Sequence, residues 1–123
     1  MSLRKEILDY VKSKYGTVSE HLWKSHPSYE VLRHAPKSKS DKGKWYGIVM
    51  DVKPKVIGLE GEENIDILDI KCDPNFIQFL RGADGYFPAY HMNKKHWITV
   101  LLDGTIPLED IKKLIDESFN MTL

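Results

Sequence analysis

The stretch PAYHMNKKHWITVLLDGTIPLEDIKKLIDESF, residues 88–119, carries the signals that set the architecture. From about Pro107 to Phe119, Leu108, Ile111, Leu114 and Ile115 recur at helical spacing. Glu109 and Asp110 fall in the first turn, where the helix dipole favours acids. Before that helix, residues 86–92 and 96–102 read as two strands around a tight turn. The turn is placed at Asn93–Lys94, because Asn tolerates the left-handed backbone that short hairpins need. Met92 then faces Lys95, and His91 faces His96. Links this short leave no room for crossover helices, so the sheet is expected to be mainly antiparallel.

The same reading extends towards the N-terminus. DPNFIQFLRG, residues 73–82, is a well-signalled helix: Asp73 caps it, Pro74 suits its first turn and Gly82 ends it. Phe76, Ile77 and Leu80 are expected to form its apolar face. Strands are expected at Val56–Leu59 and Ile65–Cys72. In the latter, alternation slips near residues 67–68, which suggests a bulge. Tyr29, Val31 and Trp45–Val52 are aromatic or β-branched and read as strands. APKSKSDKGK, residues 35–44, is a lysine-rich loop or extended hairpin tip. Residues 17–27 form a short helix or loop. Residues 3–14 form an amphipathic helix with Leu3, Ile7, Leu8 and Val11 on one face, Ser2 as its cap and Gly16 as its stop. The expected fold class is α+β: two layers, a mainly antiparallel sheet with helices packed on one face.

Bulk composition fits this. A chain of 123 residues, 41% hydrophobic and 29% charged, is long enough to bury a real core and reads as an ordinary globular protein. The single cysteine, Cys72, excludes an internal disulfide and reads as a buried, inert thiol. The N-terminal stretch holds no apolar run of signal-peptide or membrane-span length, so a cytoplasmic location and no membrane partner are expected. Lys+Arg and Asp+Glu number 18 each, which counts against a generic polyanion binder. The total hides a dipole. Residues 33–55 hold seven Lys or Arg against two acids, while residues 56–70 hold five acids and no Lys or Arg.

Three chemistries compete for the segment at 88–97. His91 and His96 could share a metal, with Glu62, Glu63 or Asp103 as a third ligand if the fold brings one near. Alternatively, Asn93, Lys94 and Lys95 could hold phosphates while Tyr90 and Trp97 stack on bases. Lys37, Lys39, Lys42 and Lys44 would add electrostatic grip if their loop lies on the same side, and protonation of His91 and His96 would strengthen it as pH falls. The third possibility is a protein partner held on an exposed sheet face around Trp45, Tyr46 or Trp97. No nucleophile elbow, glycine-rich phosphate loop or paired-cysteine site appears, so neither enzyme activity nor a cofactor is expected.

The segment at 88–119, together with LDIKCDPNFIQFLR and KWYGIVMDV, resembles the MmcQ/YjbR family. The resemblance spans most of residues 1–119 and is strongest from 70 to 118. It implies that residues 1–123 form a single domain with a CyaY-like α+β fold. It also implies a double wing of two projecting hairpins and a role in DNA binding. Carried onto this chain, the second wing is Tyr90 to Trp97. The first is either the 35–44 loop or the 53–66 hairpin.

Overall fold

Short connections between consecutive β-rich segments favour antiparallel pairing, and every ladder in the sheet is antiparallel. The structure, a computed structural model, describes residues 2–123. In chain order it contains α1 (Arg4–Tyr15), β1 (Glu30–Arg33), β2 (Trp45–Val52), β3 (Ile65–Lys71), α2 (Pro74–Leu80), β4 (Tyr86–Pro88), β5 (Trp97–Leu101) and α3 (Leu108–Met121). The strands form one five-stranded sheet in the order β1-β2-β3-β5-β4. This is the expected α+β fold, and all three helices contribute to a core on one face of the sheet.

The helices form for the reasons their sequences suggest. Ile7 and Val11 of α1 are buried, and Gly16 ends that helix in the left-handed conformation at φ 70°. The N-cap is Leu3 and not the expected Ser2, one residue earlier, although the Ser2 hydroxyl still accepts from the Arg4 amide. Asp73 accepts from the Asn75 amide at the start of α2, where Pro74 needs no partner. Ile111, Leu114 and Ile115 of α3 pack on the sheet with Leu68, Ile70, Ile98 and Val100.

Four expectations are corrected. First, the segment at Val56–Leu59 is not a strand, because a single 3₁₀ turn occupies Pro54–Ile57; Pro54 cannot donate to a ladder and suits the start of a turn. Second, β3 has no bulge at 67–68. Its register runs unbroken from Ile65 to Ile70 against β2 and from Ile67 to Lys71 against β5. The alternation slips because both faces of β3 are covered: Leu68 enters the helix-side core, while Ile67 enters a second core on the other face. Third, the sheet has no bare face around Trp45 and Tyr46. Tyr46 is wholly buried against the helices, and Trp45 is half-buried with Trp23, Tyr29, Ile57, Tyr90 and Met92 over the second core. Fourth, Phe76 is not on the buried face of α2. It stacks on Phe79 with ring centroids 6.1 Å apart, and the two are 37% and 80% exposed.

Candidate nucleic-acid interface at one end of the sheet

The strand order decides where the lysines go. Arg33 pairs with Trp45, Lys71 with Trp97 and Pro88 with Ile98, so all five strands share one end at these residues. The β1–β2 connection, 34–44, and the β4–β5 connection, 89–96, both lie at that end on opposite sides of β3. At about 4.8 Å per strand, three spacings separate them by roughly 14 Å. The 53–64 connection lies at the other end, with its acids and with Asp66 and Asp103. The charge asymmetry of the sequence thus becomes a polarity along the strands.

The 34–44 loop is folded by its one acid. Asp41 accepts from the amides of Lys37 and Gly43 at 3.0 and 2.9 Å, and these bonds hold its carboxyl below the usual range. Gly43 has φ 83°, and a Cβ there would lie 1.9 Å from the His34 carbonyl oxygen. Lys37, Lys39, Lys42 and Lys44 are all exposed, and among the described residues none is ion-paired. The seven basic residues of the 33–55 segment do not act together. Arg33 is bound by Glu20 through two hydrogen bonds, while Lys53 and Lys55 sit at the opposite end.

The 89–96 connection is not the tight hairpin expected. The β4–β5 ladder stops at Pro88 and Ile98, so His91 and His96 are not cross-strand partners, nor are Met92 and Lys95. Asn93 organises a wider loop. Its side-chain oxygen accepts from the Lys95 amide at 2.8 Å, and its carbonyl accepts from the amides of His96 and Trp97. The residue in the left-handed region is His91, at φ 64°, with its ring 3.8 Å from that of Tyr90. The Cys72 amide donates to the His96 carbonyl, which ties the loop to the end of β3. Lys94 and Lys95 are exposed and, among the described residues, without an ion pair. Trp97 is half-buried opposite Lys71 in the ladder.

The metal reading loses its third ligand. Among the described residues no group of three or more His, Cys, Asp or Glu could hold an ion. Glu62, Glu63 and Asp103 belong to the far end of the sheet.

Beside the lysine end, the helix-free face carries a cleft of about 310 Å³. Trp23, His26, Tyr29, Trp45, Tyr90, His91 and Met92 wall it, and Ile48 lies in its floor. Trp23 meets Trp45 and Tyr29 edge-to-face, with centroids 5.8 and 5.9 Å apart. Under the same face lies Asp69, paired with Ile48 on one side and Thr99 on the other. Thr99 donates to one carboxyl oxygen at 2.5 Å and itself accepts from the Tyr90 amide. The other oxygen is buried and, among the described residues, has no partner. Burial pushes this carboxyl up to about 7, although the Thr99 bond and the charge of Lys94 favour ionisation. Neither the cleft nor Asp69 follows from sequence motifs. The only trace of Asp69 is the broken alternation of IDILDI, where an acid stands at a position the sheet buries.

At the opposite end one guanidinium is shared among three carboxylates. Arg4 bonds Glu30 at 2.8 Å and Asp66 at 3.0 Å, with Asp51 at 3.7 Å. Asp51 also accepts from Ser28 and Asn64, and its carboxyl is held below the usual range despite partial burial.

Comparison with known proteins gives one consistent answer. The uncharacterized protein YyaQ of Bacillus subtilis is 42% identical over 122 residues, covering 99% of each chain. The uncharacterized protein YjbR of Escherichia coli K12 is 36% identical over 62 residues, covering 50% of this chain and 52% of its own length. A crystal structure of a Pseudomonas syringae protein superposes with a TM-score of 0.89 at 42% identity, over 98% of both chains. Protein DR2400 of Deinococcus radiodurans gives 0.74 at 25% identity, over 98% of this chain and 78% of its own. The family model described as YjbR matches residues 12–121, nearly the whole described chain, and the protein therefore belongs to the YjbR family.

Proposed function

We propose that this protein is a non-enzymatic DNA-binding protein that grips phosphates with the two lysine-bearing connections at one end of its sheet. The observation that carries this reading is their juxtaposition. Lys37, Lys39, Lys42 and Lys44 on one side, and Lys94 and Lys95 on the other, are exposed and, among the described residues, without ion pairs, roughly 14 Å apart by strand spacing. At 3.4 Å per nucleotide that gap corresponds to roughly four nucleotides of one strand. Asp41, the acid inside the first loop, is engaged by backbone amides. Asn93 shapes the second loop and leaves its two lysines free to reach outward. A non-enzymatic role suits the lone thiol, since Cys72 is buried and pushed up to about 11.

Fluorescence anisotropy with labelled DNA at low salt tests the reading. Lys94→Ala/Lys95→Ala and Lys42→Ala/Lys44→Ala are each expected to weaken binding several-fold. Unchanged affinity in both would remove these loops from the function. A second reading, docking of a protein partner, draws on the stacked and exposed Phe76 and Phe79 of α2. Partners retained after nuclease treatment and lost in Phe79→Ser would favour it.

A further inference from the structure

The aromatic cleft opens beside the lysines, and this placement bears on what kind of DNA is bound. Trp45 follows Lys44 directly, and Met92 stands two residues before Lys94, so the cleft is flanked by both connections. No carboxylate and no ammonium lines it; its walls are aromatic rings and methionine, with the imidazoles of His26 and His91 among them. Trp23, Trp45 and Tyr90 are half-buried and so retain ring surface open to the cleft. At about 310 Å³ it lies at the small end of the range for small-molecule sites, roughly 300–1,000 Å³. That is room enough for a planar heterocycle the size of a nucleobase. An aromatic slot that includes two imidazoles, with lysines on its rim, matches a planar heterocycle joined to an anionic chain.

We propose that the cleft takes one unpaired nucleobase of a DNA strand whose phosphates rest on the flanking lysines. The inference rests on the DNA-binding reading and narrows it to single-stranded or locally opened DNA. Aromatic platforms beside a basic track bind single strands through stacking that any base can make. A base within an intact duplex would first have to leave its stack.

The test follows tryptophan fluorescence of the unmodified protein, since Trp23 and Trp45 both face the cleft. Three ligands are titrated: a thymine oligonucleotide, a blunt duplex of equal length and the free mononucleotide. The single strand is expected to quench the signal and to bind about tenfold more tightly than the duplex. Tyr90→Leu is expected to cost the single strand about tenfold, the scale of one lost base–aromatic contact, and the duplex nothing. The Tyr90 amide, not its ring, anchors this segment to Thr99, so the variant keeps the loop's attachment. Quenching on the unmodified chain gives a readout that does not depend on any variant folding. Quenching by the mononucleotide alone would keep the base site and assign it to a free nucleotide instead of a strand. Equal affinity for both DNA forms, with Tyr90→Leu neutral, would overturn the inference while lysine-dependent binding left the DNA reading intact. No binding of any of the three ligands would sink both.

Discussion

Asp69 makes a prediction whose size follows from its surroundings. Asp69 is 0% exposed, one oxygen has no partner among the described residues, and burial raises the carboxyl from its ordinary 3.8 to about 7. The unfolded chain ionises this group near 3.8, whereas the folded chain keeps the proton until about pH 7. Between those values the unfolded state binds fewer protons, so stability falls as pH rises. The slope is about 1.4 kcal/mol per pH unit, and the full penalty above pH 7 is roughly 4 kcal/mol. Asp69→Asn retains an acceptor for Thr99 and removes the titration. Its amide hydrogens replace the unpartnered oxygen, at a pH-independent cost of roughly 1–3 kcal/mol. Urea unfolding of both proteins at pH 5, 6, 7 and 8 isolates the effect, because every other titrating group cancels in the difference. From pH 5 to 8 the variant is expected to gain roughly 2–3 kcal/mol relative to the parent, with most of the gain below pH 7. A difference that stays flat across that range would refute the reasoning. It would mean that Asp69 is ionised throughout and has found a partner, with Lys94 the first suspect.

Two further outcomes concern the loops and the thiol. Gly43→Ala forces a Cβ against the His34 carbonyl at a positive φ, and should cost at least about 2 kcal/mol in thermal unfolding. Its amide chemical-shift changes should be confined to the lysine loop and its flanks. Cys72 should react with a thiol reagent on the order of a hundredfold more slowly in the native protein than in urea, because burial lifts it from 9 to about 11.

What was legible in the sequence is mostly what local chemistry dictates. Asp73-Pro74 opens a helix, Gly16 closes one, and the spacing of Ile111, Leu114 and Ile115 marks the packed face of α3. The short links implied antiparallel pairing, and the ladders have it. What failed depended on neighbours distant in sequence. Ile67 and Leu68 are both buried because residues 23, 29, 57 and 90 cover the face opposite the helices, and no local pattern announces that cover. The histidine pairing failed because Asn93 builds a wider loop than a two-residue turn. Phe76 shares the apolar character of Ile77 and Leu80 on its short helix, but only those two are buried. Whether the two lysine segments meet at one end could not be read until the strand order was known, because an odd or even number of strand reversals decides it. Arg33 counted as free charge only until Glu20 was found beside it.

The salt dependence of DNA binding tests the central claim most directly. Each phosphate contact released should contribute about 0.9 to the slope of log affinity against log salt on duplex, or about 0.7 on a single strand. The slope is expected to be clearly negative. It should become shallower in Lys94→Ala/Lys95→Ala and in Lys42→Ala/Lys44→Ala, and remain unchanged in Lys53→Ala/Lys55→Ala at the opposite end of the sheet. A slope near zero, or an equal change from the opposite-end pair, would contradict a cationic site built by these two connections.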